Sequence, residues 1–164
     1  MDKEIIQLAK QLGWVLKDKG LKIATAESCT GGGIAQAITE VSGSSAWFDR
    51  AFITYSNQAK IQMLQVKQES LDNFGAVSKQ VAIEMVEGAI IYSEADIAVS
   101  VTGIAGPTGG TEKKPVGTVY IAKKEKGMPA SCKKHIFLGG RRQIRLQTVK
   151  MALKYCLITS YIVD

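Results

Sequence analysis

The segment Ser42 to Lys60 reads Ser-Gly-Ser-Ser-Ala-Trp-Phe-Asp-Arg-Ala-Phe-Ile-Thr-Tyr-Ser-Asn-Gln-Ala-Lys, with hydroxyls before an apolar run and an amine after it. A hydroxyl and an amine are the parts of a serine nucleophile paired with a base that takes its proton. A Ser-His-Asp triad is not available, because the one histidine, His135, sits in a lysine-rich segment. Lysine is the usual substitute, but its reference pKa of about 10.4 makes it a poor base at neutral pH. Burial lowers that value, and so does the partial positive charge of a helix N-terminus. Ser56 or Asn57 can cap a helix that opens with Gln58-Ala59-Lys60, which puts Lys60 in the first turn, the wrong end for a cation. Ser45 is the candidate nucleophile in the loop and Ser28 its rival. Tyr55, at the end of the apolar run, is placed to relay or donate a proton. The plain structural alternative is loop serines and a solvated lysine on an exposed turn.

Two glycine-rich stretches are candidates for holding the rest of a ligand. Ala26-Glu27-Ser28-Cys29-Thr30-Gly31-Gly32-Gly33 joins a strand to a helix, and such a turn offers free backbone N–H groups to a phosphate or oxyanion. It is neither a P-loop nor GxGxxG. Ser28, Thr30 and Gly31 are its binding candidates, and Cys29 is a weak alternative nucleophile. The second stretch, Thr102 to Pro115, leaves the end of an apolar strand, where open α/β sheets bind ligands. Thr102 and Gly103 stand where that strand stops. Gly139-Gly140-Arg141-Arg142 opens a helix and supplies a guanidinium for a phosphate or carboxylate.

These residues need elements to position them. Ile5, Leu8, Ala9, Leu12, Val15 and Leu16 recur at helical spacing and predict a first helix ended near Gly20. A strand follows over Leu21–Ala26, then a helix through Ile34, Ala37, Ile38 and Val41. A strand over Ala51–Tyr55 and a helix from Asn57 come next. Ser78 caps a helix whose buried face is Val81, Ala82, Met85, Val86, Ala89 and Ile90. Asp96–Val101 reads as a central strand. Val116–Ala122 and Cys132–Leu138 form an antiparallel hairpin around the polar turn Lys123–Ala130, and a helix from Arg141 closes the chain. The pattern predicts an α/β fold: one domain over residues 1–164, a three-layer sandwich with a mixed sheet, helices on both faces and a C-terminal antiparallel hairpin.

Composition narrows the function. The 164 residues are 46% hydrophobic and 22% charged, ordinary for a globular protein with a real core. The charged N-terminus is not a secretory signal, and Glu94 and Asp96 interrupt the longest weakly polar region, so no membrane role is expected. Cys29, Cys132 and Cys156 are far apart without a CxxC pair, which predicts reduced cytosolic thiols and no metal site. The net charge of +6 gathers late in the chain, at Lys113, Lys114, Lys123, Lys124, Lys126, Lys133, Lys134, Arg141, Arg142 and Arg145. That suits an anionic substrate. It also motivates a rival reading, a DNA-associated or nucleotide-sensing regulatory module, but no aromatic residues interleave to stack bases.

Several motifs stand in order along the chain: Thr25-Ala26-Glu27-Ser28-Cys29-Thr30-Gly31-Gly32, Gly43-Ser44-Ser45-Ala46-Trp47-Phe48, Thr54-Tyr55-Ser56-Asn57-Gln58-Ala59-Lys60, Gly75-Ala76-Val77-Ser78 and Gly103-Ile104-Ala105-Gly106-Pro107 with Lys114-Pro115-Val116-Gly117-Thr118. Together they resemble the CinA C-terminal family of nicotinamide-nucleotide amidohydrolases. The resemblance implies hydrolysis of the carboxamide of nicotinamide mononucleotide to nicotinate mononucleotide and ammonia, by a serine amidase without metal or cofactor. Carried over by motif, Ser45 is the nucleophile, Lys60 its base and Tyr55 an assisting hydroxyl. Ser28, Thr102 and Arg141 contact substrate or the transition state, with Thr30, Gly31 and Gly103 beside them. The family pattern at the last site is closer to Gly-Asp-Arg, so Arg141 and Arg142 both stand as candidates. The resemblance also implies a cytoplasmic homo-oligomer, and the stand-alone form of a domain that longer competence/damage-inducible proteins carry.

Overall fold

A computed structural model describes residues 1–161 of the chain. Its centre is β1 (Ile23–Glu27), buried at every position. Parallel to it on one side runs β2 (Phe48–Ile53), and on the other β3 (Ile97–Gly103). The antiparallel strands β4 (Thr118–Glu125) and β5 (Ser131–Ile136) extend the sheet beyond β3, giving the order β2-β1-β3-β4-β5.

Side chains alternate across a strand, so each face of the sheet has its own partners. One face presents Ile23, Ile97, Val99, Val101, Val119 and Ile121 to α1 (Lys3–Lys19), α2 (Gly33–Thr39) and α6 (Arg141–Cys156). The other presents small residues, Ala26, Ala98 and Ala122, to α3 (Asn57–Leu64), α4 (Gln68–Phe74) and α5 (Lys79–Ile91). The second helical layer therefore sits close to the sheet, near enough for Ser100 Oγ to donate to Ala82 O of α5 at 2.6 Å. The expected α/β fold, with a mixed sheet between two helical layers and a final hairpin, is what the chain adopts.

The helix ends follow the local signals. Asp2 caps α1 by accepting from Glu4 N, and Gly20 ends it in the left-handed region at φ 65°. Ser56 caps α3 and Ser78 caps α5 through the N–H groups of Ala59 and Val81. Some boundaries differ from expectation. The strand read as Ala51–Tyr55 is Phe48–Ile53, and Thr54 and Tyr55 already belong to the turn into α3. Helix α4 occupies a stretch with no element expected. Strand β4 begins after Val116 and runs through Lys123 to Glu125, into the expected turn. It does so because residues at the end of α6 and beyond it satisfy its polar groups: Lys123 donates to Ile158 O and lies 4.7 Å from the Tyr155 ring centre, and Glu125 accepts from Ser160 N.

Helices α3 and α5 meet at Gly88, where an added Cβ would lie 2.2 Å from the Leu64 carbonyl oxygen. Replacing glycine by alanine inside a helix gains about 1 kcal/mol of propensity, but forcing an atom into backbone costs about 1–3 kcal/mol or more. Gly88→Ala is therefore expected to destabilise the fold, read as a lower urea midpoint at unchanged m-value; an equal or higher midpoint would contradict the close approach.

Candidate active site

The carboxyl ends of β1, β2 and β3 are tied at one level. Ser28, the first residue past β1, donates its N–H to Val101 O of β3 at 3.1 Å, and Thr54 N donates to Glu27 O at 2.9 Å. Strand order reverses here: β2 follows on one side of β1 and β3 on the other, the arrangement that opens a crevice in α/β sheets.

The turn that carries Ser28 hangs on a buried carboxylate. Glu27, 0% exposed, accepts from Thr25 Oγ1 (3.1 Å), Thr30 Oγ1 (2.7 Å), Ile34 N (2.9 Å) and Ala35 N (3.0 Å). Four donors offset the loss of water around the charge, and two of them are otherwise orphaned amides at the start of α2. Gly32, at φ 95°, supplies the left-handed backbone that lets the chain enter α2.

Lys60 enters from the other side. A helical side chain leans toward the N-terminus of its helix, so the Lys60 stem runs back beneath residues 54 and 55. Its Nζ donates to Thr54 O at 2.8 Å and Tyr55 O at 3.3 Å, and lies 3.0 Å from Ser28 Oγ. The residue is 1% exposed. Burial lowers its pKa from 10.5 to about 8. A neutral amine has two N–H donors and one lone pair; the two carbonyls take the donors and the lone pair is left for the Ser28 hydroxyl.

Ser28 and Lys60 open into a pocket of about 280 Å³ lined also by Thr102, Gly103, Gly106 and Arg141, with no carboxylate among the described residues of its wall. Arg141 stands at its edge, donating through Nη1 to Gly106 O (2.8 Å) and through Nη2 to the Tyr55 hydroxyl (3.1 Å). With Arg141 as its permanent cation and no acidic side chain among the described residues of its lining, the pocket is suited to an anion.

The sequence-derived candidates divide between this pocket and its surroundings. Ser28, Tyr55, Lys60, Thr102, Gly103 and Arg141 line it, and Arg142 does not. Tyr55 is 62% exposed and its hydroxyl faces Arg141; only its carbonyl touches Lys60. Thr102 Oγ1 donates to Ala76 O, closing the wall beside Val77. The hydroxyl of Thr30 is taken by Glu27, and Thr30 and Gly31 lie outside the pocket lining. Ser45 is exposed in the 3-10 turn Ser44–Ala46 that precedes β2, whereas Lys60 lies past its far end. Six strand residues span about 20 Å, so the hydroxyl brought to Lys60 is that of Ser28.

Sequence reasoning did not reach Glu27 as the anchor of the turn, Asn57 and Val77 as pocket wall, or Arg145, which grips the turn from behind. A buried glutamate between two threonines was the available signal for the first. Cys29 reaches the pocket, but burial pushes its thiol up to about 12, leaving little thiolate at neutral pH. His135 stacks on Phe137 at 5.3 Å, outside the site. The basic residues do not form one open face: Lys123 is buried, Lys114 donates to Phe74 O, and Arg141 and Arg145 hold backbone carbonyls. Among the described residues no group of three or more His, Cys, Asp or Glu could hold a metal ion.

Comparison with known proteins gives this geometry a lineage. The family described as the CinA C-terminal domain matches residues 5–159. The chain belongs to that family. Over 153 residues, 93% of each chain, it is 49% identical to the nicotinamide-nucleotide amidohydrolase PncC of Escherichia coli (strain K12). The PncC of Enterobacter agglomerans is 48% identical over 156 residues, 95% of each chain. Among solved structures, the competence/damage inducible protein CihA from Agrobacterium tumefaciens superposes with a TM-score of 0.94 at 47% identity, over 96% of each chain. In this CinA-family domain the match spans every element that lines the pocket.

A buried amine leaves a signature in stability. Lys60 is an ammonium below about 10.5 in the unfolded chain and below about 8 in the folded one, so the unfolded state binds the extra proton between those values. The burial penalty, on the order of 3 kcal/mol, is fully present below pH 8 and fades as pH rises toward 10.5. Unfolding free energy of the wild type is expected to gain relative to Lys60→Met across that window; parallel pH profiles would place the amine in water.

Proposed function

We propose that this protein hydrolyses the carboxamide of nicotinamide mononucleotide, releasing ammonia and nicotinate mononucleotide, with Ser28 as nucleophile and Lys60 as its base. The observation that carries the reading is the buried Lys60 Nζ at 3.0 Å from Ser28 Oγ with its pKa lowered to about 8. The names of the amidohydrolases that the chain matches over 93–95% of its length support the substrate.

The chemistry follows from the contacts. The Lys60 amine takes the Ser28 proton as Oγ bonds to the carboxamide carbon, and the carbonyl π pair moves to oxygen. The resulting ammonium, between the two carbonyls, delivers its proton to the leaving nitrogen, which departs as ammonia. A water then attacks the acyl-serine with Lys60 again the base, restoring the hydroxyl and freeing the carboxylate. The phosphate of the substrate suits Arg141 and the glycine-rich wall at Gly103–Gly109. Thr102, held by Ala76 O, fixes the wall opposite Ser28. Tyr55 acts at the mouth, through Arg141, rather than on the proton of Ser28. A homo-oligomer acting in the cytoplasm on this small molecule belongs to the same proposal; among the described residues no helix is long and apolar enough to cross a membrane.

Ammonia release from nicotinamide mononucleotide tests the assignment. Ser28→Ala and Lys60→Ala are each expected to lower kcat by about 10³-fold or more, with circular dichroism unchanged. Ser45→Ala, on an exposed turn, should stay within about twofold. For the wild type, kcat/KM should rise with pH and level off above about 8, as the amine loses its proton. An inactive Ser45→Ala beside an active Ser28→Ala would transfer the nucleophile to the other end of β2.

A further inference from the structure

The glycine loop between β3 and β4 supplies part of the pocket wall from a tip with few supports of its own. Residues 107–113 are exposed, yet Thr108 and Gly109 line the pocket. The segment between α4 and α5 lines it too, through Ala76 and Val77. A glycine-rich tip loses much entropy on being ordered, because glycine has the widest backbone freedom. A wall built from it needs a tether.

That tether runs through the return leg of the loop. Thr111 N donates to Lys114 O at 2.8 Å and Lys114 N to Thr111 Oγ1 at 3.0 Å, which closes the tip on itself. The two legs meet at Val116: an added Cβ would lie 2.4 Å from Val116 Cγ1 at Gly106, and 2.7 Å from Val116 N at Gly110. This close packing joins the tip to the leg that carries Lys114. The Lys114 Nζ then reaches across to donate to the carbonyl oxygen of Phe74, the last residue of α4, at 2.7 Å. Carbonyls at a helix C-terminus carry partial negative charge and favour a cation. Among the described residues this is the one hydrogen bond from residues 107–114 to another part of the chain. The base of the loop is pinned separately, by Thr102 Oγ1 on Ala76 O and by Arg141 on Gly106 O.

We propose that Lys114 is a positioning residue for substrate capture, clasping the glycine-loop tip to the end of α4 so that Thr108 and Gly109 stand as pocket wall for the phosphate-bearing end of the nucleotide. This rests on the Ser28–Lys60 reading above and deepens it. Ser28 follows β1 and Lys60 belongs to α3, neither of which the clasp touches. Releasing the clasp leaves the reacting groups in place, and the arriving nucleotide must then order the tip. That cost falls on binding rather than on the chemical step.

The test compares Lys114→Met and Lys114→Arg with the wild type and Ser28→Ala in the ammonia-release assay, alongside the Kd for nicotinate mononucleotide. Lys114→Met removes the donor and keeps the apolar stem. It is expected to raise KM and the product Kd about tenfold, the worth of one hydrogen bond from a charged donor. Its kcat should stay within about twofold of the wild type. The inhibition constant of nicotinate riboside, which lacks the phosphate, should move by less than about twofold, because that ligand does not call on the tip. Lys114→Arg, whose guanidinium offers donors to the same carbonyl, should recover most of the lost affinity. If Lys114→Met does not fold, Lys114→Leu, which also lacks the donor, gives the same comparison. Unchanged KM and product Kd in a folded variant overturn the proposal. So does a loss confined to kcat, an equal loss for the riboside, or a Lys114→Arg no better than Lys114→Met. Should Ser28→Ala turn over normally, the underlying reading fails; if Ser28→Ala is inactive while Lys114→Met binds normally, only this inference fails.

Discussion

The structure depends on one amine kept out of water. Lys60 Nζ has two carbonyl oxygens and one hydroxyl for company and, among the described residues, no carboxylate to pair with. An ammonium in such a place is costly to desolvate, so the proton is held loosely. The surrounding chain can be read as what this contact requires. Strand β2 must release Thr54 and Tyr55 so that their carbonyls turn to the amine. Ser56 must then start α3 at once, which puts Lys60 in the first turn with its side chain aimed backward.

The partner hydroxyl is fixed by a different device. Ser28 follows the last residue of β1, and the carboxylate of that residue gathers the next turn and the first amides of α2 around itself. Below it, the sheet offers bulky aliphatics to one helical layer and, at its centre, the small Ala26, Ala98 and Ala122 to the other, with Phe52 and Tyr120 to either side. The small face matters for the pocket. It lets α5 lie close, and the loop ahead of α5 brings Ala76 within reach of Thr102 to close one wall.

Much of this was legible before the fold was known, wherever the signal was local. Serine before a helix marked the caps of α3 and α5, Gly20 marked the end of α1, and apolar runs marked β1 and β3. The position of Lys60 in a first helical turn, and the lowered pKa that follows, also came from neighbouring residues. What escaped was long-range. Ser45 and Lys60 share one segment, yet a strand's length lies between them; Ser28 is remote in sequence and adjacent in space because β1 and β2 are parallel and end together. Thr30 and Gly31 belong to the motif that holds Ser28, but the Glu27 carboxylate draws the Thr30 hydroxyl inward. Lys123 and Glu125 look like a turn until the residues after α6 arrive to satisfy them.

Arg141 has protein partners of its own, with Gly106 O on one prong and the Tyr55 hydroxyl on the other. A guanidinium carries five N–H donors, so these two bonds leave donors over. An arriving anion can be taken without either bond being given up. The rim formed by the glycine loop, the aromatic ring and the cation is assembled when the chain folds, and the entropy of ordering it falls on folding rather than on each encounter with a ligand.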